Sequence, residues 1–273
     1  MAARRILIHP GFHKTGTSSL QHMLWINRDR LSPHAALLLL RHLQPATKLI
    51  HAYSRTQSPV HLTDLVDVLD AVFRDAGLTA DDGDDRDLLI SCEALSGHLP
   101  GWPGVEDYAA APVIATFLTG YLAERFAGAE IVVAYTTRAP EAWLNSAWRH
   151  HLAGQRLRLD WPAFRERYAG AADLDAVVAS VAGAISPVPV YALPLEEARL
   201  HPLGPGGAML ELLDLPEAVR ANLAGVGHDN RGADAALARD LLALNLSDGK
   251  DGDVTRAKRA TIAAAGGAGW GAR

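Results

Sequence analysis

Cysteine is almost missing from the chain: Cys92 is the single one, so no intrachain disulfide can brace the fold. That usage fits a reducing compartment, and the cytoplasm is the expected location. No apolar run approaches the ~20 residues that a membrane-spanning helix needs. The first eight residues carry two arginines without the apolar segment of a secretory leader. Positive charge is not in excess either. Lys and Arg total 26 against 31 Asp and Glu, a net charge of −5, and no long basic run exists to track a phosphate backbone. This argues against nucleic acid as the main partner while leaving room for a local basic pocket. Metal signatures are also lacking. No H-E-x-x-H occurs, the 12 histidines are scattered, and Asp248, Asp251 and Asp253 are wrongly spaced for an EF-hand loop. No metal is expected.

What the chain does have is apolar material: 49% of its 273 residues are hydrophobic and 21% charged, enough for one sizeable core. Short apolar runs that stop at turns read as strands at Ile6–His9, Leu88–Cys92, Ile131–Thr137 and Val188–Leu193. Between them lie helical patterns. Leu20, Met23 and Leu24 follow Gly16, and Leu62, Leu65, Val66, Leu69, Val72 and Phe73 line a helix over Pro59–Gly77. Val113 to Leu122 mark another, ending near Gly128. Pro140 opens a helix to about Leu152, Asp173 caps the next, and Leu237, Leu241 and Leu244 mark a last one. Asp81–Asp87 reads as a surface loop. The alternation predicts an α/β fold with a mainly parallel central sheet flanked by helices. One domain is expected over residues 1–262, with a flexible Ala/Gly-rich tail at 263–273. Ligands of such sheets bind at the carboxyl ends of the strands.

The segment Ile6-Leu-Ile-His-Pro-Gly-Phe-His-Lys14-Thr15-Gly16-Thr17-Ser18 is strand, loop and helix start. A glycine turn presents backbone N–H groups to an anion, the helix N-terminus adds partial positive charge, and Lys14 adds a full one. It is not a Walker A loop, which needs its lysine directly after the last glycine; here Lys14 precedes Gly16 by two. Further on, Arg138 closes the strand Ile131–Thr137, and Ser146 lies eight residues later on the Pro140 helix. An arginine fork suits phosphate oxygens. Taken one at a time, each feature also reads blandly: a capped turn, a surface ion pair, a helical serine.

Phe12-His-Lys-Thr-Gly-Thr-Ser-Ser19 resembles the 5′-phosphosulfate loop of sulfotransferases that use 3′-phosphoadenosine 5′-phosphosulfate (PAPS). The Arg138–Ser146 pair is similar to the same family's 3′-phosphate motif. The resemblance covers chiefly residues 6–20, 88–95 and 131–152. It implies a phosphate-loop-kinase-like core, PAPS as donor with the bisphosphate PAP as product, and no metal. It implies that Lys14 meets the bridging oxygen of the donor, that Thr15, Gly16, Thr17 and Ser18 hold the 5′-phosphate, and that Arg138 and Ser146 hold the 3′-phosphate. Glu93, at the end of the preceding strand, takes the place of the general base, with His13 and His98 as rivals. Asn230 and Arg231, before the last helix, are candidates for the family's C-terminal donor clamp. Leu20 stands where the family has an adenine-stacking aromatic, which leaves the adenine contact unassigned. Cys92 is expected to be packed and not a nucleophile. The acceptor is a small molecule, carbohydrate or lipid with a hydroxyl or amine, and residues 31–80 and the helices after 155 are expected to shape its pocket. Two other readings stay open: a nucleotide or small-molecule kinase, and a nucleotide-binding protein without catalysis.

Overall fold

Each short apolar run that ends in a turn becomes a strand of one parallel sheet. The computed structural model describes residues 4–78, 84–226 and 235–266. The strands are β1 (Arg5–His9), β2 (Ala35–Leu39), β3 (Asp87–Ser91), β4 (Glu130–Thr137) and β5 (Val190–Pro194). They pair in the order β2-β3-β1-β4-β5, every pair parallel. The helices are α1 (Thr17–Ile26), α2 (Arg28–Leu31), α3 (Leu40–Thr56), α4 (Val60–Asp75), α5 (Ala111–Arg125), α6 (Pro140–Gly154) and α7 (Trp161–Tyr168). They continue with α8 (Leu174–Ile185), α9 (Leu195–Ala198), α10 (Gly204–Leu210), α11 (Glu217–Arg220), α12 (Ala235–Leu246) and α13 (Asp251–Ala264).

The period of two along each strand sorts side chains into two layers. Ile6 and Ile8 of β1, Leu88 and Ile90 of β3 and Ile131, Val133 and Tyr135 of β4 pack with α3, α4, α5 and α8. Leu7, Leu89, Val132 and Ala134 point the other way, onto α1 and α10. Burying one such side chain contributes ~1.5–3 kcal/mol, whereas strand propensity spans only ~1 kcal/mol. Two-sided burial therefore sets these strands. The helix ends follow their local chemistry. Pro140 occupies the first turn of α6, where its missing N–H costs nothing. Asp173 caps α8 by accepting the Ala176 N–H at 3.0 Å.

The strand order also fixes where a ligand can enter. After β1 the chain runs to β2 and returns through β3; after β4 it continues outward to β5. The connections leaving β1 and β4 thus diverge, and a switch point of this kind is where parallel sheets form their ligand crevice, at the carboxyl ends of the strands.

β2 and α3 carry no assignment from periodicity. The run Leu37–Leu40 is split between the two, and a short leucine run suits either element. Pro45 lies inside α3, where proline is disfavoured. The C-terminus also departs from expectation: α13 extends to Ala264, into the segment expected to be a tail, while residues 267–273 lie outside the described ones.

α13 is fastened to the end of α6 by a buried lysine. Lys258, 4% exposed, donates to Leu152 O at 2.9 Å, Gln155 O at 2.8 Å and Asn245 Oδ1 at 3.1 Å. All three ammonium donors are used, and two of the acceptors are carbonyls at the negative end of α6. Replacing Lys258 by Met keeps the bulk and strands those acceptors. We expect Lys258→Met to lower unfolding stability by about 3 kcal/mol, read as a lower urea midpoint with an unchanged slope.

Candidate active site

The turn after β1 is held by its carbonyl groups. Four in succession accept a hydrogen bond from a side chain. Ser96 Oγ donates to Gly11 O. Thr15 Oγ1 donates to Phe12 O at 2.7 Å, Trp143 Nε1 to His13 O at 2.9 Å and Arg138 Nη1 to Lys14 O at 2.9 Å. Phe12 is fully buried and anchors the turn between Tyr108 and Tyr135, each at a ring distance of 4.8 Å. Lys14 adopts a left-handed backbone at φ 70°, as do Gly11 at 58° and Gly16 at 94°. A Cβ on Gly16 would meet Leu195 of α9 at 2.6 Å, so only glycine fits. Gly16 is also the N-cap of α1 and supplies no side-chain cap. The first-turn N–H groups of α1 therefore have no intrahelical or capping partner. With its carbonyls drawn back into the protein, the turn leaves N–H groups and positive charge for an anion.

A buried polar chain supports the turn from below. Since Thr15 donates to a carbonyl, its oxygen accepts from Thr136 Oγ1 at 2.7 Å. Thr136 then accepts from His9 Nε2 at 3.2 Å, and His9 Nδ1 accepts from Ser91 Oγ at 2.8 Å. Following the donors from the carbonyl backwards fixes the tautomer: His9 carries its proton on Nε2 and is neutral. Burial agrees, holding the His9 pKa down at about 3. The chain links the carboxyl ends of β3, β1 and β4.

Lys14 and Arg138 are neighbours. Neither makes an ion pair with a carboxylate among the described residues. Arg138 Nε is buried with no hydrogen-bond partner there. Burial lowers the Lys14 pKa and the Arg138 guanidinium lowers it further, with Glu93 opposing. Burial and then Arg199 lower that of Arg138, against Glu196. Two like charges at the mouth of a crevice, one with an unsatisfied N–H, match a multiply charged anion.

Glu93 opens the 3₁₀ turn Glu93–Ser96 just past β3. Its Oε2 accepts from Gln21 Nε2 at 3.2 Å, and the same amide donates to Ser91 O at 3.1 Å. Gln21, on α1, thus orients the carboxylate; sequence reasoning missed it, although it lies one turn beyond Ser18. Thr15 and Thr17 turn their hydroxyls inward and are buried, so only their backbone can meet a ligand, while the Ser18 side chain is exposed. Ser146 is half-buried on α6. Leu20 is fully buried against α10 and offers no platform. Burial, then the Glu93 charge, pushes the Cys92 thiol far up. His98 is a poor base: Nδ1 accepts the Leu99 N–H at 3.0 Å, and burial holds its pKa down at about 3. Trp143 belongs to the turn's support, not to a substrate platform. Asn230 and Arg231 lie outside the described residues. Among the described residues, no group of three His, Cys, Asp or Glu is placed to hold a metal ion, and no helix is long and apolar enough to cross a membrane.

No family model, curated protein or solved structure matches the chain.

The neutral imidazoles set the acid behaviour. His9, His98 and His150 are lowered to about 3, and His51 and His151 to about 4, mainly by burial. In the unfolded chain they take up protons near 6.5. Between 6.5 and those lower values the unfolded state binds more protons, so stability is flat above pH 6.5 and falls as pH drops below it. His9 alone, fully buried, contributes ~1.4 kcal/mol per pH unit in that window; the half-exposed rings contribute less. Urea titrations from pH 7.5 to 4 are expected to show this slope, and a flat profile down to pH 4.5 would contradict the neutral relay.

Proposed function

We propose that the chain is a PAPS-dependent sulfotransferase, moving a sulfuryl group to a hydroxyl or amine acceptor. The observation that carries this reading is the Lys14–Arg138 couple, in no ion pair among the described residues, at a turn whose carbonyls at residues 11–14 are taken by side-chain donors. Bound PAPS supplies the activated sulfuryl group. Lys14 neutralises charge on the departing phosphate oxygen, and the Gly16–Ser18 backbone holds the 5′-phosphate. Arg138 and Ser146 hold the 3′-phosphate. The acceptor oxygen or nitrogen bonds to sulfur as the bond from sulfur to the bridging oxygen breaks, in line. The acceptor's proton passes to Glu93, oriented by Gln21, a transfer worth ~10²–10⁴ in rate. Sulfuryl carries less charge than phosphoryl, so one lysine serves where phosphoryl transfer recruits Mg²⁺.

Thermal melting tests the recognition half. At 100 times its Kd a ligand stabilises by ~2.7 kcal/mol. Adenosine 3′,5′-bisphosphate is expected to raise Tm more than 5′-AMP, and Arg138→Ala is expected to erase that difference. Stabilisation by ATP–Mg²⁺ alone would instead indicate a kinase. The catalytic half rests on Lys14→Ala, which is expected to abolish sulfuryl transfer from PAPS in an acceptor screen while keeping the fold. Undiminished turnover in that variant would overturn the mechanism.

A further inference from the structure

A second polar group lies beside Lys14 and has no task in the reading above. It consists of His13 in the turn, His51 on α3 and His98 after the 3₁₀ turn. The rings of His51 and His98 stack at 4.1 Å with an interplanar angle of 16°. His13 lies 6.3 Å from His51 and 6.5 Å from His98, and Trp102 packs on His98 at 5.2 Å. The arrangement is built, not incidental. Ser54 Oγ of α3 accepts the His98 backbone N–H at 3.0 Å. A Cβ on Gly97 would come within 2.6 Å of that oxygen.

The proton positions give these rings a direction. His98 Nδ1 is taken by the Leu99 N–H, so Nε2 carries the hydrogen. Tyr108 Oη accepts the His13 backbone N–H at 3.2 Å and sits 3.5 Å from His13 Nδ1. His13 Nδ1 and that phenol are thus each other's partners, which leaves Nε2 as the ring's open nitrogen. His51 Nε2 is buried with no partner. His151 nearby is different: Nε2 meets Pro100 O at 2.8 Å and Nδ1 meets Gln155 Nε2 at 2.7 Å, so both its nitrogens are spent on structure. Beside Lys14, therefore, lie the His98 Nε2–H, the open nitrogen of His13 and the unpartnered His51 Nε2, and no hydrogen bond among the described residues joins them to Glu93. An ammonium and a ring N–H side by side call for a ligand of acceptor oxygens.

We infer that His13, His51 and His98 line an oxyanion pocket beside Lys14, distinct from the turn's backbone N–H groups and from Arg138, that binds a sulfate-like or carboxylate group through imidazole N–H donors. Two sources share this chemistry: the sulfuryl group in transit, or an anionic group on the acceptor. The choice between them rests on the sulfotransferase reading; the pocket itself does not.

The test follows the histidine ring Cε1–H resonances of the full chain at pH 7 by NMR, with inorganic sulfate added at constant ionic strength against chloride. Saturable shifts of His13, His51 and His98 are expected, with His9 and His151 unmoved. His98→Asn keeps an amide oxygen for the Leu99 N–H and lacks the Nε2 donor. It is expected to weaken sulfate about tenfold, and His13→Asn gives a second variant, each checked for an unchanged fold by melting. Sulfate shifts no larger than those of chloride would overturn the pocket. So would full affinity in both Asn variants, or a loss confined to Arg138→Ala. Two further arms assign the source. If PAPS moves the three resonances and displaces sulfate, the pocket holds the sulfuryl group. If PAPS leaves them unmoved and sulfate still binds beside it, the pocket holds the acceptor's anion. Sulfate shifts without any nucleotide binding would sink only the sulfotransferase reading; nucleotide binding with unresponsive histidines would sink only the pocket.

Discussion

Everything at the head of the sheet depends on where four carbonyl oxygens point. A turn of seven residues between a strand and a helix offers an anion either N–H groups or carbonyls, and the two have opposite effects. Ser96, Thr15, Trp143 and Arg138 each take one carbonyl of residues 11–14, which leaves the N–H side for the crevice. These donors come from the 3₁₀ turn, the loop itself, α6 and the end of β4, so the turn is shaped by the whole upper edge of the molecule. Left-handed backbone at Gly11, Lys14 and Gly16 is the local consequence. For Lys14 that conformation has a cost of order 1–3 kcal/mol, sustained only because its surroundings over-determine it.

Beneath the turn the protein places neutral polarity, not charge. An ionised His9 would lose the acceptor at Nδ1 that Ser91 uses, break the direction of the relay, and set a third cation below Lys14 and Arg138. Full burial forbids it. The result is a support of fixed polarity that adds no charge of its own, while the two cations at the crevice keep theirs for a ligand. An anion there would reverse part of the mutual repulsion that lowers the Lys14 pKa.

Much of this was readable before the structure, and the division is physical. Lys14, Gly16 and Arg138 stand out because a strand end, a glycine and a cation form a pattern within a few residues. The α/β alternation is equally local, since each strand is an apolar run closed by a turn. What could not be read is long-range. Trp143 lies 130 residues from the carbonyl it holds, and Ser96 lies 85 from its own. Gln21 looks like any polar residue on a helix until β3 brings Glu93 beside it. Thr15 and Thr17 read as phosphate ligands because hydroxyls in such a turn usually face out, and tertiary packing turned them in. β2 and α3 escaped because leucine serves both elements and Pro45 argues against a helix that packing nevertheless holds.

The overlooked α3 matters most for the proposed acceptor. The crevice has two walls of different origin. One is the β1–β4 switch point, fixed by the topology of the sheet. The other is α3 with the segment after the 3₁₀ turn, joined through Ser54 and the stacked His51 and His98. The first wall must keep its shape for any ligand bound through Lys14 and Arg138. The second continues directly from β2 and from the 3₁₀ turn after β3, and none of its side chains is among the four that hold the turn's carbonyls. Under the sulfotransferase reading proposed above, specificity for the acceptor therefore belongs to residues 40–56 and 97–102.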